Sequence, residues 1–131
     1  MRIHHIGYAV SDIESSMQVF LALGYRCEGS IVHDEARRVS ILFMVNGQYR
    51  IELVAPSDDK SPVTELLKRN GAAPYHICYE VNDIDESMGD LKQAGFKPLV
   101  RKSPAVAIDG RNVIFLFHLK YGLMELLENG N

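Results

Sequence analysis

The chain has 131 residues, 47% apolar and 24% charged, the composition of an ordinary globular chain with enough residues for one domain. A chain of this size covers roughly two thirds of its unfolded surface on folding, so it needs neither disulfides nor a structural metal to stay folded. With 14 basic against 17 acidic residues and a net charge of -3, it lacks the basic cluster that neutralises a phosphate backbone, which excludes nucleic acid as an expected partner.

No apolar run approaches the roughly 20 residues of a membrane span, and the opening MRIHHIGYAV has no signal-peptide pattern. The expectation is a cytoplasmic protein with no membrane partner. Cys27 and Cys78 are too few for a disulfide framework and read as reduced thiols.

In chain order, residues 2 to 10 alternate as a strand does. Ser11 and Glu14 then read as a capping box, Ile13, Met17 and Phe20 as the apolar stripe of a helix, and Gly24 as its stop. Strands are expected at about 25 to 33, 38 to 45 and 48 to 54, the last two joined by a turn at Asn46-Gly47. Ser61 as N-cap and Pro62 as first helical residue open a linker helix that ends near Asn70-Gly71. The second half repeats the order: a strand, a helix with Asn82 as N-cap and Gly95 as stop, then strands at about 96 to 102, 112 to 118 and 123 to 128. Turns are expected at Asp109-Gly110 and at Lys120-Tyr121-Gly122.

The two halves are related as text. Sliding the chain by 71 positions lays HIGYAVSDIESSMQVFLALG, from His5, on HICYEVNDIDESMGDLKQAG, from His76, with nine of twenty pairs identical. Chance gives about one. Later, RIELVAP and LMELLE align at a shift of 73, placing Glu52 on Glu125. The expected fold is therefore α+β: two tandem βαβββ modules related by a pseudo-twofold, with curved mixed sheets enclosing a metal-binding cavity. Module one spans about residues 1–56, the linker helix about 57–74 and module two about 75–131, together one domain.

Alternation sets His5 on one strand face with Ile3 and Gly7, while Ile6, Tyr8 and Val10 point toward the helix. In the fourth strand Arg50 and Glu52 share a face. Glu125 lies between Leu123 and Leu127 in a strand otherwise written for burial, where a carboxylate is costly unless it is paired or bound to a cation. Any one of these residues alone reads as an ordinary side chain, but two His and two Glu at equivalent module positions do not recur by accident. If a pseudo-twofold packs the modules face to face, His5, Glu52, His76 and Glu125 converge as an N2O2 set suited to divalent Ni, Co, Zn, Mn or Fe. Arg50 has two readings, a bidentate clamp for a substrate carboxylate or a simple ion pair.

The paired HIG and HIC strands, IELVAP, SPVTELL, YHICYEV and the closing GLMELLE resemble the vicinal oxygen chelate (glyoxalase/bleomycin resistance/dioxygenase) superfamily over essentially the whole chain. Within it the chain is similar to glyoxalase I and to methylmalonyl-CoA epimerase. The resemblance implies His5, Glu52, His76 and Glu125 as metal ligands, Glu125 also as the catalytic base, and proton abstraction beside a carbonyl. It also implies a divalent metal, a homodimer, and a small-molecule substrate that is either a thiol hemithioacetal or an acyl-CoA; the oxygen-rich N2O2 set favours Ni or Co, with Zn or Mn as alternatives. An epimerase carries a second acid/base group in the loop before its third strand, where this chain has HDEARRV and offers Glu35, about one position out of register. Glu52, where epimerases often have Gln, and a short closing hairpin favour a glyoxalase I type lyase, with methylmalonyl-CoA epimerase as the alternative. An intact two-His, two-Glu set argues against a metal-free binding protein and against a ring-cleaving dioxygenase with its single carboxylate.

Overall fold

The structure is a computed structural model that describes residues 1–130. The elements run β1 (Arg2–Ala9), α1 (Ile13–Ala22), β2 (Arg26–Asp34), β3 (Val39–Asn46), β4 (Tyr49–Pro56), α2 (Pro62–Asn70), β5 (Ala73–Val81), α3 (Ile84–Gln93), β6 (Lys97–Pro98), β7 (Ser103–Ala105), β8 (Arg111–His118) and β9 (Gly122–Glu128). This is a mixed α+β fold with nine strands and three α-helices among the described residues. No helix is long and apolar enough to cross a membrane. The chain divides into two compact units, one of residues His5–Tyr75 and one of residues 76 onward with Met1–His4. Asn131, the last residue expected in module two, lies outside the described residues.

In the first unit the strand order is β2-β3-β4-β1, antiparallel except for the parallel pair of β1 and β4. Tyr8, Val10, Ile51 and Leu53 point to one face and pack with Ile13, Met17 and Phe20 of α1, as the alternation predicts. Ile6, on the same side, remains 37% exposed instead. In the second unit β5 pairs with β9 in parallel, β9 with β8 antiparallel, and β8 carries β6 and β7 on its other edge. Its core joins Val81, Ile84 and Met88 to Ile114, Leu116 and Leu126.

Several local expectations move by one residue. The N-caps are Asp12 and Asp83, not Ser11 and Asn82: their carboxylates accept hydrogen bonds from the backbone N–H of Ser15 and Glu86. An ionised carboxylate is the stronger acceptor at a helix's positive end, and it wins over the neighbouring neutral side chain. That hydrogen bond holds the Asp12 carboxyl below the usual carboxylate range. The first hairpin turns on Gly47-Gln48, since Asn46 pairs with Tyr49, and only Gly47 has a positive φ, of 61°. This is the sign pattern of a type II′ turn, which asks for glycine at the first central position. Of the strand expected at 96 to 102 only β6 is regular, Pro98 bringing no N–H to pair with β8, and the next strand, β7, begins at Ser103.

Gly24 and Gly95 both follow a helix with φ of 97° and 101°. They differ in what a side chain would meet: a Cβ at Gly95 would stand 2.8 Å from His118 Nε2, one at Gly24 3.4 Å from Asn46 Nδ2. The His118 ring cannot step aside freely. Its Nδ1 accepts from Lys120 N at 3.0 Å and its Nε2 donates to Ala94 O at 3.0 Å. Both alanine substitutions carry a backbone penalty of about 1 to 3 kcal/mol, and Gly95→Ala should lower the melting temperature further than Gly24→Ala. Equal shifts in thermal unfolding would show that the His118 contact carries no weight.

On β5, Glu80 accepts from Arg111 Nη2 at 2.9 Å and pairs with Arg2 at 3.1 Å. Burial, the largest single influence, pushes its carboxyl up, but the arginines and His4 together outweigh it and hold the group below the ordinary 4.5. A lowered folded-state value stabilises the fold above about 4.5, and this contribution is lost as pH falls through the depressed value. Arg111→Gln should therefore raise the midpoint of acid unfolding, read by circular dichroism; an unchanged midpoint would show that the pair contributes nothing.

Candidate functional site

Parallel pairing sets Gly7 of β1 beside Glu52 of β4. His5, one pleat earlier, projects on the same face, and its Nε2 lies 3.4 Å from Glu52 Oε1. Both are buried, at 1% and 6% exposure. Phe43, opposite Glu52 on β3, presents its ring edge-on to the imidazole at 5.2 Å between centroids.

The second unit builds the same arrangement from its own residues. Cys78 of β5 stands beside Glu125 of β9, and His76, one pleat earlier, brings Nε2 to 3.2 Å from Glu125 Oε1. His76 and Glu125 are each 4% exposed. Phe115 lies opposite Glu125 on β8, its ring 5.1 Å from the His76 ring and nearly perpendicular to it. Cys78, on the same face, is a fully buried thiol.

Each pair thus shares one register: His5 and Gly7 become His76 and Cys78 at a shift of 71, Phe43 becomes Phe115 at 72, and Glu52 becomes Glu125 at 73. The last added residue is visible as a three-residue loop between His118 and Gly122 where the first unit has two residues between Asn46 and Tyr49. The other falls between Gly95 and Val113, in the stretch where the second unit's strand is broken. Phe43 and Phe115 went unremarked in the sequence; ILFMV against VIFLF at the intermediate shift of 72 is the signal that identifies them.

Imidazole nitrogens and carboxylate oxygens are the donors that borderline divalent ions accept, and burial of carboxylates beside imidazoles is costly without a compensating positive charge. Each unit supplies one buried imidazole and one buried carboxylate of this kind, His5 with Glu52 and His76 with Glu125, so the donor types in each fit the expected ion. The remaining sequence candidates make contacts of their own. Arg50 grips Glu28 of β2, Nε to Oε1 at 2.8 Å and Nη2 to Oε2 at 3.2 Å. Glu35 is exposed in the four-residue turn between β2 and β3. Its neighbour Asp34 is buried and holds Arg37 Nη1 at 2.9 Å. A cavity of about 1210 Å³ in the second unit is lined by Arg2, Glu80, Asp83 and Arg111 among others, and by none of the four candidate ligands.

A family model described as the Glyoxalase/Bleomycin resistance protein/Dioxygenase superfamily matches residues 4–115. The chain is 32% identical over 117 residues to an ethylmalonyl-CoA/methylmalonyl-CoA epimerase of Cereibacter sphaeroides, with 88% of this chain and 87% of that protein covered. It is 29% identical over 116 residues to the mitochondrial methylmalonyl-CoA epimerase of Mus musculus, covering 88% of this chain and 65% of that protein. Among solved structures, a Streptomyces coelicolor methylmalonyl-CoA epimerase variant in complex with 2-nitronate-propionyl-CoA superposes with a TM-score of 0.84 at 25% identity, covering 99% of this chain and 95% of that one. These relatives overturn the glyoxalase I reading of the sequence in favour of its alternative. The physical reason is that the ligand set suits both reactions, since each enolises a carbon acid beside a carbonyl, so neither Glu52 nor a hairpin shortened by a few residues discriminates between them.

Proposed function

The chain belongs to the Glyoxalase/Bleomycin resistance protein/Dioxygenase superfamily, and from that membership we propose that it is a metal-dependent epimerase of a 2-alkylmalonyl thioester of coenzyme A, with methylmalonyl-CoA as substrate. The observation that carries this reading is the similarity to an epimerase of that substrate class over 88% of the chain. The buried His–Glu pair in each unit supports it.

In this reading the two pairs act as one N2O2 set of His5, Glu52, His76 and Glu125. These residues would hold a divalent ion, Co or Ni in this proposal, which would supply positive charge to stabilise the oxyanion that develops as the thioester enolises. Glu125 takes the α-proton. Its carboxylate lies among Leu123, Leu127 and Phe115, surroundings that keep water from competing for the proton. The edge of Phe115 and the strand pairing keep the His76 ring from turning away. Inversion then needs a proton returned to the opposite face, and Glu35 is the group proposed for it, from the turn before β3. A homodimer is proposed in solution, to be checked by light scattering.

The test loads the purified, metal-stripped protein with Co or Ni and supplies one epimer of methylmalonyl-CoA in heavy water. Both inversion and deuterium at the α-carbon are expected by NMR. Neither inversion nor exchange with any loaded metal would overturn the proposal. With Glu35→Gln, exchange should persist while inversion falls by about tenfold or more. Unchanged inversion would place the second proton donor elsewhere.

A further inference from the structure

The face of the first unit that carries His5 and Glu52 has a charged row beside its ligands. Cross-strand pairing puts Glu52, Phe43 and Glu28 in one row, and Arg50, Val45 and Arg26 in the next. Residues directly opposite in adjacent strands point to the same side, so all six share the ligand face. Arg50 reaches over β3 to hold Glu28 with two parallel hydrogen bonds of 2.8 and 3.2 Å. That two-pronged grip is how a guanidinium receives a carboxylate or phosphate from a ligand.

Three observations set this pair apart from a structural ion pair. Arg50 and Glu28 keep 29% and 42% of their side-chain surface in solvent, whereas Asp34, gripped by Arg37 in the same unit, keeps 5%. An exposed pair contributes little to stability, so its exchange for another oxyanion is cheap. The repeat also does without it: in the second unit Leu123 takes the position of Arg50 at the shift of 73, and Leu99, whose N–H donates to Phe115 O at 2.9 Å, takes that of Glu28 at 71. Building the module therefore does not require these charges. Arg26, row-mate of Arg50, adds a second exposed cation on this face.

Resting on the acyl-CoA epimerase reading, we infer that Arg50 and Arg26 form the subsite for an oxyanion of the substrate, and that Glu28 is an internal stand-in for that oxyanion, displaced when substrate binds. The oxyanion has two sources in such a substrate, the free carboxylate of the malonyl group and the phosphates of coenzyme A. Glu28 sets the affinity by competing for the same guanidinium.

The experiment titrates the metal-loaded full-length protein with methylmalonyl-CoA, and separately with the methylmalonyl thioester of N-acetylcysteamine, which keeps the carboxylate and lacks every phosphate. Glu28→Gln should tighten binding by about threefold or more, and Arg50→Gln should weaken it by about tenfold. The exchanged pair Arg50→Glu with Glu28→Arg restores the ion pair but moves the cation to the edge strand, and should not restore binding. Changes seen with both thioesters assign the subsite to the carboxylate; changes confined to methylmalonyl-CoA assign it to the phosphates. If the wild type binds and turns over methylmalonyl-CoA while the folded variants bind it equally well, the subsite is refuted and the epimerase reading stands. If the wild type neither binds nor turns it over, both are refuted.

Discussion

Glu125→Gln is expected to lower the epimerisation rate by about 10²- to 10⁴-fold while the protein still takes up metal. Glutamine keeps nearly the same volume and one oxygen donor at a position that is 4% exposed, so packing against Leu127, Phe115 and the His76 ring survives. What is lost is the basic oxygen pair. An amide cannot accept the α-proton of a thioester, and the barrier removed by a positioned base returns in full. Deuterium exchange at the α-carbon separates the two roles of Glu125, since it reports proton removal whether or not inversion follows. Wild-type exchange in a metal-loaded Glu125→Gln protein would make Glu125 a ligand only, and Glu52, its counterpart in the repeat, would become the first candidate for the base.

His76→Ala should weaken metal binding by at least about tenfold and abolish turnover as a consequence. Among its strand neighbours, Ile77 and Tyr75 point to the other face and Cys78 is one pleat away, so β5 offers no second imidazole. The substitution also removes the ring that lies 3.2 Å from the buried Glu125 carboxylate and leaves a void beside it, which lowers stability. Metal content after dialysis, set beside the thermal unfolding of the metal-free protein, distinguishes loss of a ligand from loss of the fold. Full metal retention in a folded His76→Ala protein would remove His76 from the set. Phe115→Leu is the informative companion, because it removes the edge contact to the ring at 5.1 Å and leaves every donor in place; it should loosen metal less than His76→Ala does.

The duplicated module, the ends of the helices and the faces of the strands were legible in the linear text, because each depends on residues close in sequence. Nine identities at a shift of 71 are a property of the string alone, and Gly24 and Gly95 stop their helices through a local backbone conformation at φ of 97° and 101°. Alternation placed His5 with Gly7, and Glu125 with Leu127, for the same reason. Even the errors were local ones: Ser11 beside Asp12 and Asn82 beside Asp83 are adjacent capping residues, and only the fold shows which oxygen meets the free N–H. The relation between the superfamily's reactions was not legible at all, since the shared His and Glu positions serve either substrate. Tertiary structure alone decided the cross-strand register. Gly7 beside Glu52 and Cys78 beside Glu125 bring each carboxylate close to its own unit's histidine, more than forty positions away, and a slip of one residue would turn each carboxylate to the opposite face. Tertiary structure also determined that Arg50 meets Glu28, 22 residues away across an intervening strand, because a long guanidinium chooses among all the oxyanions that folding brings within its reach, and the chain between them carries no record of that choice.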